Sequence, residues 1–126
     1  MAVEKAGIKP DFYMKTFHHG NYWSATPPAE RVEFNVDSNS EHDHDNIWEI
    51  SPEKTIEFMK TVATPWIAFK VLAAGAIHPS SGFQYAFENG ADFVCVGMFD
   101  FQIRENAIIA RNAVAANQNR PRPWRA

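Results

Sequence analysis

The chain has very little cysteine and no long apolar run. Cys95 is the only cysteine among the 126 residues, so no disulfide can form within the chain. It lies in an apolar run, where we expect a small buried side chain in a reducing, cytoplasmic setting. No apolar run approaches the roughly 18 residues of a membrane span, and residues 1–11 lack the apolar core of a signal peptide. We therefore expect neither a membrane partner nor a secretory leader.

An excess of basic charge is also missing. The chain carries 12 basic and 15 acidic residues, which gives a formal net charge of -3. A general nucleic-acid binder needs a basic field that neutralises phosphates. We therefore expect a small molecule, and no nucleic acid, as the ligand.

Apolar runs and helix signals alternate along the chain. Residues 11–16, 66–72 and 92–96 are predicted strands, and a helix signal follows each of them. A long loop at residues 18–49 separates the first strand from its helix. This alternation is typical of a parallel α/β sheet. A small, complete doubly wound domain is the alternative fold, although its outer strands would expose unpaired edges.

Two segments resemble the end of phosphate-binding (β/α)8 barrels. They are Ala-Ala-Gly-Ala-Ile at residues 73–77 and Asn-Gly-Ala-Asp-Phe-Val-Cys-Val-Gly-Met at residues 89–98. In that family the seventh strand ends in a small-residue turn and the eighth ends in Val-Gly, where backbone N–H groups hold a phosphate. The resemblance implies a substrate site at Gly75, Ala76, Gly97, Met98 and Asp100.

The resemblance also implies the organisation of the chain. A complete barrel needs about 250 residues. Residues 1–116 would therefore be its C-terminal portion, a partial (β/α)8 barrel of three parallel strand-helix units, six to eight. Residues 18–49 would form a long loop on the active face, and residues 117–126 a flexible tail. The whole chain is also similar to a group of uncharacterised bacterial barrel proteins.

Two lysines stand near the carboxyl ends of predicted strands, the edge at which barrel enzymes place their active sites. If Lys15 and Lys70 both point into the barrel, each disfavours the charged form of the other, and burial acts in the same direction. An amine that has lost its proton can attack a carbonyl carbon and form a Schiff base. The structural alternative is that both lysines pair with carboxylates from the missing strands of the barrel.

The two lysine strands are similar to those of deoxyribose-phosphate aldolase. In that family a Lys-Thr step ends the sixth strand, as at residues 15–16, and a second lysine precedes a small-residue turn, as at residues 69–75. The resemblance implies a lyase in which Lys15 is the nucleophile and Lys70 promotes the loss of its proton, with no cofactor. We therefore expect a small carbonyl or sugar-like substrate.

Histidines and carboxylates form a second group of candidates. His18 and His19 follow the first strand and could act as general acids or bases near neutral pH. They could instead hold a divalent metal in an isomerase or hydrolase, because imidazole and carboxylate are common metal ligands. The candidate ligands in the long loop are His42, His44 and Asp45. A solvated polar loop is the structural alternative.

A third hypothesis concerns association rather than catalysis. The outer strands of a barrel fragment have lost their neighbours, and unpaired strand edges favour association. Such a fragment would associate with itself or need the missing N-terminal part of the barrel.

Asp100 also has a structural alternative, as the cap of the last helix.

Overall fold

The structure, a computed structural model, describes residues 2–31 and 48–125. In chain order its elements are α1 (Ala2–Lys5), β1 (Tyr13–Thr16), α2 (Pro52–Thr61), β2 (Trp66–Phe69), α3 (Pro79–Glu88), β3 (Phe93–Cys95) and α4 (Ile103–Ala116). Short 3-10 helices lie at Pro28–Glu30, Ala73–Gly75 and Asp100–Gln102. None of the helices in these two ranges is both long and apolar enough to span a bilayer.

The three strands form one parallel sheet in the order β1-β2-β3. Lys15 is in register with Ala68, and Ala68 with Val94. The prediction of a mixed α/β fold with a parallel sheet is confirmed. β2 ends earlier than predicted because Lys70 has a φ of 57°, which an extended strand does not contain.

The helices cover one face of the sheet. Trp66 and Ala68 lie on this face and are 0% exposed, which places the core between β2 and the helices. Each of the three longer helices contributes apolar side chains to the same core, and burying them is the main favourable contribution to folding. These side chains are Met59 of α2, Phe83, Ala86 and Phe87 of α3, and Ala113 of α4.

The opposite face of the sheet is open in the described part of the chain. Side chains alternate between faces along a strand, so the neighbours of the core residues point away from the helices. Met14 is 45% exposed and Phe93 is 47% exposed, and Cys95 is also exposed rather than buried as predicted. An apolar sheet face of this kind is usually covered in a folded domain.

The helix α3 has a capped start and a glycine stop. Pro79 is its first residue, and the Nδ1 atom of His78 accepts a hydrogen bond from the Ser80 N–H at 3.3 Å. The helix ends before Asn89, and Gly90 follows with a φ of 107°. Glycine adopts this conformation without a steric penalty, so it stops the helix and turns the chain into β3.

Residues 117–125 were predicted to form a flexible tail, but the structure packs them against the rest of the chain. Arg120 is 8% exposed and Arg122 is 4% exposed, and both guanidinium groups bind the Asp92 carboxylate. The Trp124 ring packs on Phe87, with 5.8 Å between ring centroids. The prediction of a solvent-exposed tail is wrong here because the arginines find acceptors that are distant in sequence.

Candidate functional site

A cavity of about 990 Å³ lies beyond the carboxyl ends of β2 and β3. Parallel α/β proteins place their ligand sites at this edge of the sheet. The wall is formed by the turns that follow the two strands, by Trp48 and by residues near the start of α4. The lining residues are Trp48, 69–72, 74–79, 95–99, Gln102 and Asn106.

The turn after β2 has an unusual backbone. Lys70, Ala73 and Ala74 have φ values of 57°, 45° and 56°, although none of them is glycine. Gly75 follows with a φ of 89°. A left-handed conformation costs about 1–2 kcal/mol in a residue that carries a Cβ atom. Strained residues of this kind cluster at functional sites, and this cluster forms part of the cavity wall.

The backbone amides of this turn already have acceptors. The Gly75 N–H donates to the Leu72 carbonyl at 2.8 Å, and the Ala76 N–H donates to the Ala73 carbonyl at 3.2 Å. These two amides are therefore not open donors for a phosphate, as the barrel resemblance implied. The space in front of the glycines is open, because a Cβ atom built on Gly75 or Gly97 would meet nothing within 4 Å.

Lys70 is the lysine of the cavity wall. Its backbone position immediately after β2 brings an exposed side chain to the carboxyl edge of the sheet. The Nζ atom lies 5.5 Å from the centroid of the Phe69 ring, within the range of a cation–π contact. The amine thus stands beside an apolar wall at the predicted ligand edge.

Lys15 is not part of this wall. It lies opposite Ala68 in the sheet register, on the face that the helices cover. Its Nζ atom binds the Glu49 carboxylate at 3.2 Å and the Thr16 carbonyl at 3.0 Å. The two lysines therefore have different surroundings: Lys15 is paired with Glu49, and Lys70 lies at the cavity wall.

Glu49 is the centre of a buried polar cluster. Its side chain is 2% exposed. The Oε2 atom accepts hydrogen bonds from Lys15 and from the Thr55 hydroxyl, and the Oε1 atom accepts one from the Ser51 N–H. The carboxylate thereby ties β1 to the beginning of α2, which is how buried charges are retained in proteins.

His18 is buried next to this cluster. Its Nδ1 atom lies 3.0 Å from the His19 carbonyl, and its Nε2 atom accepts a hydrogen bond from the Glu49 N–H at 3.0 Å. Only a neutral ring with the proton on Nδ1 satisfies both contacts. Burial lowers the pKa of His18, which favours that neutral form. These contacts fasten the chain after β1 to the chain before α2.

His19 contacts α3. Its Nδ1 atom accepts a hydrogen bond from the Asn21 N–H at 3.2 Å, and its Nε2 atom lies 3.0 Å from the Ser81 hydroxyl. The neutral ring therefore carries its proton on Nε2 and donates it to Ser81. Burial lowers the pKa of His19. In this tautomer the imidazole does not take a proton from Ser81, and neither His18 nor His19 belongs to the cavity wall.

The predicted substrate-binding residues are only partly brought together. Gly75, Ala76, Gly97 and Met98 line the cavity. Asp100 does not, and its carboxylate accepts a hydrogen bond from the Phe101 N–H at 2.8 Å within the 3-10 helix. The structural alternative, in which Asp100 caps the last helix, is wrong, because Gln102 precedes α4 and no side chain caps its first turn.

Three polar residues of the wall were not among the predicted site residues. Asn106 is 4% exposed and its amide lies 3.5 Å from the Met98 sulfur. It was not predicted because it belongs to α4 and follows the turn after β3 by several positions. Gln102 accepts a hydrogen bond from the Phe99 N–H. His78 also lines the cavity. Its position directly after the small-residue turn was the signal that could have placed it here.

The predicted metal ligands His42, His44 and Asp45 lie outside the described residues. Within residues 2–31 and 48–125, no group of three or more histidine, cysteine or carboxylate side chains is placed to hold a metal ion. The metal hypothesis therefore stays a prediction.

Comparison with known proteins finds no matching family model, no similar curated protein and no similar solved structure.

Proposed function

We propose that this chain carries the small-molecule site of an α/β enzyme, and that Lys70 is the amine that reacts with a small carbonyl or sugar-like substrate. The cavity at the carboxyl edge of the sheet carries this proposal, because it joins Lys70 to the two turns that follow β2 and β3. Its volume of about 990 Å³ is at the upper end of the range for small-molecule sites, about 300–1,000 Å³.

The proposed chemistry is Schiff-base formation of the aldolase type. The Lys70 amine, once it has lost a proton, attacks the carbonyl carbon, and the resulting carbinolamine loses water to give an iminium ion. The β-hydroxyl of the substrate then loses its proton and becomes the carbonyl of the first product, while the electron pair of the broken Cα–Cβ bond forms an enamine on Lys70. The enamine takes up a proton at Cα, and water hydrolyses the resulting iminium ion to release the second carbonyl product and the free amine.

His78 is the proposed acid–base partner in the cavity. Its Nδ1 atom lies 2.8 Å from the Ser80 hydroxyl and accepts a hydrogen bond from the Ser80 N–H. In the neutral ring the proton is then on Nε2, the atom that remains available for a ligand. An imidazole can donate a proton to the leaving hydroxyl of a carbinolamine and take a proton back.

The proposal assigns the nucleophile to Lys70 and a structural role to Lys15. Lys15 is held by a carboxylate that is 2% exposed, and this pairing stabilises the charged ammonium group rather than the nucleophilic amine. The Lys70 side chain lies at the cavity, where a carbonyl compound can reach it. Asp100 and the two histidines after β1 take no part in the proposed reaction.

At the level of the fold, we propose that the sheet is the last three units of a barrel. Its strands follow one another in chain order and the described helices pack on one face, as in a barrel. A doubly wound sheet has helices on both faces. The open apolar face would then be covered by five preceding strand-helix units. A longer chain that includes such units should protect Cys95 from a thiol reagent, whereas equal reactivity in both chains contradicts the proposal.

Borohydride trapping tests the reaction. The chain is incubated with dihydroxyacetone or acetaldehyde, reduced with borohydride and weighed by intact-mass spectrometry. At substoichiometric reagent we expect a single adduct on the fraction of chains that react, and no doubly modified chain. Lys70→Arg should abolish this adduct, because arginine keeps the positive charge but is not a nucleophile at neutral pH.

Two matched variants control the experiment. Lys15→Arg removes the other candidate amine, and Lys60→Arg removes an exposed amine of α2. Both should retain the adduct. If the adduct persists in Lys70→Arg and disappears in Lys15→Arg, the nucleophile is Lys15 and the assignment is wrong. Random modification of all lysines, with no effect of Lys70→Arg, contradicts the reaction itself.

A further inference from the structure

The carboxylate of Asp92 lies at the amino edge of the sheet, opposite the cavity. It is 0% exposed and accepts four hydrogen bonds. Two come from backbone amides, those of Trp66 and Arg125, at 2.9 Å each. The other two come from the guanidinium groups of Arg120 and Arg122, at 2.8 Å and 2.7 Å. Both carboxylate oxygens are thus shared between the sheet and residues 120–125.

Arg120 reaches the end of α3. Its Nη1 atom donates to the carbonyl oxygens of Phe87 and Ala91, and its Nε atom donates to the Arg122 carbonyl. Its guanidinium carbon lies 3.6 Å from the centroid of the Trp124 ring. A planar guanidinium group can satisfy several acceptors and stack on an aromatic ring at the same time, which an ammonium group cannot do.

Arg122 reaches the end of α2. Its Nε atom donates to the Met59 carbonyl, and its Nη2 atom donates to the carbonyls of Val62 and Thr64. Its Nη1 atom donates to the Gly90 carbonyl at 2.8 Å in addition to Asp92. The carbonyls at helix C-termini lack partners within the helix and carry partial negative charge, so a cation is stabilised there.

The site can accommodate Arg122 because residue 90 is a glycine and has no side chain. A Cβ atom on Gly90 would lie 2.9 Å from Cδ of Arg122, which is closer than such atoms approach. The acceptors come from α2, α3 and the residues before β2 and β3, and none of them belongs to residues 117–125 except the Arg122 carbonyl. The amino edge therefore presents a preformed set of acceptors for two guanidinium groups.

We infer that this edge is a binding site for a peptide with two arginines separated by one residue, which the chain fills with its own residues 120–125. In this inference the contacts of the segment with the edge, and not its covalent link to α4, hold it in place. The inference is independent of the proposed enzymatic function, because the two sites lie at opposite edges of the sheet.

The first test uses the full chain. Arg120→Lys and Arg122→Lys keep the charge but remove the forked donors, so each should lower the melting temperature by roughly 10 °C. Arg125→Lys is the matched control, since Arg125 contributes a backbone amide to Asp92 and its side chain is exposed. It should change the melting temperature by no more than about 2 °C. Equal effects of the three variants overturn the inference.

The second test separates the segment from the site. A chain that ends at Ala116 is mixed with a synthetic peptide of residues 117–126, and folding is followed by tryptophan fluorescence and thermal melting. Binding to a folded shortened chain, or folding on addition of the peptide, supports the inference. A peptide with lysine in place of both arginines should be inactive at the same concentration. A shortened chain as stable as the full chain, or one that the peptide does not affect, overturns the inference.

Discussion

The Nζ atom of Lys15 lies 3.2 Å from the Oε2 atom of Glu49, in a salt bridge whose carboxylate is buried. This contact crosses from β1 to the residues just before α2. It bears on the two interpretations of Lys15, because an ion pair with a carboxylate stabilises an ammonium group, whereas Schiff-base formation needs the uncharged amine. Lys70, at the cavity wall, is the lysine that we propose for the chemistry.

Glu49 should therefore be a stability determinant. Glu49→Gln leaves the Lys15 ammonium without its countercharge and gives up at least one of three accepted hydrogen bonds. We expect the free energy of unfolding to fall by about 1–3 kcal/mol, measured by urea denaturation. Glu57→Gln, at an exposed position of α2, is the control and should change the free energy by less than about 0.5 kcal/mol. Equal effects of the two variants would show that the buried carboxylate has no special role.

The stability should also depend on pH through His18. Burial lowers its pKa in the folded chain, so the unfolded chain binds the proton more readily. Stability should be full above about pH 6.5, the usual imidazole value, and should fall as the pH decreases from there to the lowered pKa. The charged and titratable neighbours are Glu49, which opposes the shift, and His19 and Lys15, which support it.

A denaturation series from pH 8 to pH 5 measures this dependence. His18→Gln should flatten the slope below pH 6.5, because no proton is then taken up at this position on unfolding. Gln118→Asn, an exposed substitution that changes no titratable group, is the control and should leave the slope in place. An unchanged slope in His18→Gln contradicts the neutral, buried state of this ring.

The strained turn at the cavity should be relieved by glycine. Ala74 is exposed and has a φ of 56°, so Ala74→Gly removes the steric cost of its Cβ atom. We expect the free energy of unfolding to rise by about 1 kcal/mol. Ala107→Gly, at an exposed position inside α4, should instead lower it by about 0.5–1 kcal/mol. A loss of stability in both variants would contradict the left-handed turn.

The sheet could be predicted from the sequence because its strands are short apolar runs that alternate with helix signals. Their bounds were less predictable. The run at residues 66–72 continues as an apolar sequence through Val71 and Leu72, whereas the strand ends at Phe69. Sequence hydrophobicity predicts burial, and Val71 is buried like Trp66 and Ala68 of the strand. It does not show where the backbone leaves the extended conformation.

The sequence predicted the edge of the sheet at which the candidate site lies, but not the contacts between its side chains. The small-residue turn and the Val-Gly step indicated where Gly75 and Gly97 would lie, because the carboxyl ends of parallel strands meet at one edge. The pairing of Lys15 with Glu49 spans 34 residues, and that of Asp92 with Arg120 spans 28. Contacts of this kind depend on the tertiary fold and leave no local periodicity in the sequence. The segment that contains Arg120 and Arg122 was therefore predicted to be a flexible tail.

Peptide mapping of the borohydride-trapped protein tests the central claim most directly. Modification prevents trypsin from cleaving after Lys70, so residues 61–104 remain joined in one peptide. After trapping with dihydroxyacetone at substoichiometric concentration, we expect the added mass in this peptide, with Lys15 unmodified. Added mass on Lys15, or an even distribution over all lysines, would contradict the assignment of Lys70 as the reactive amine of the cavity.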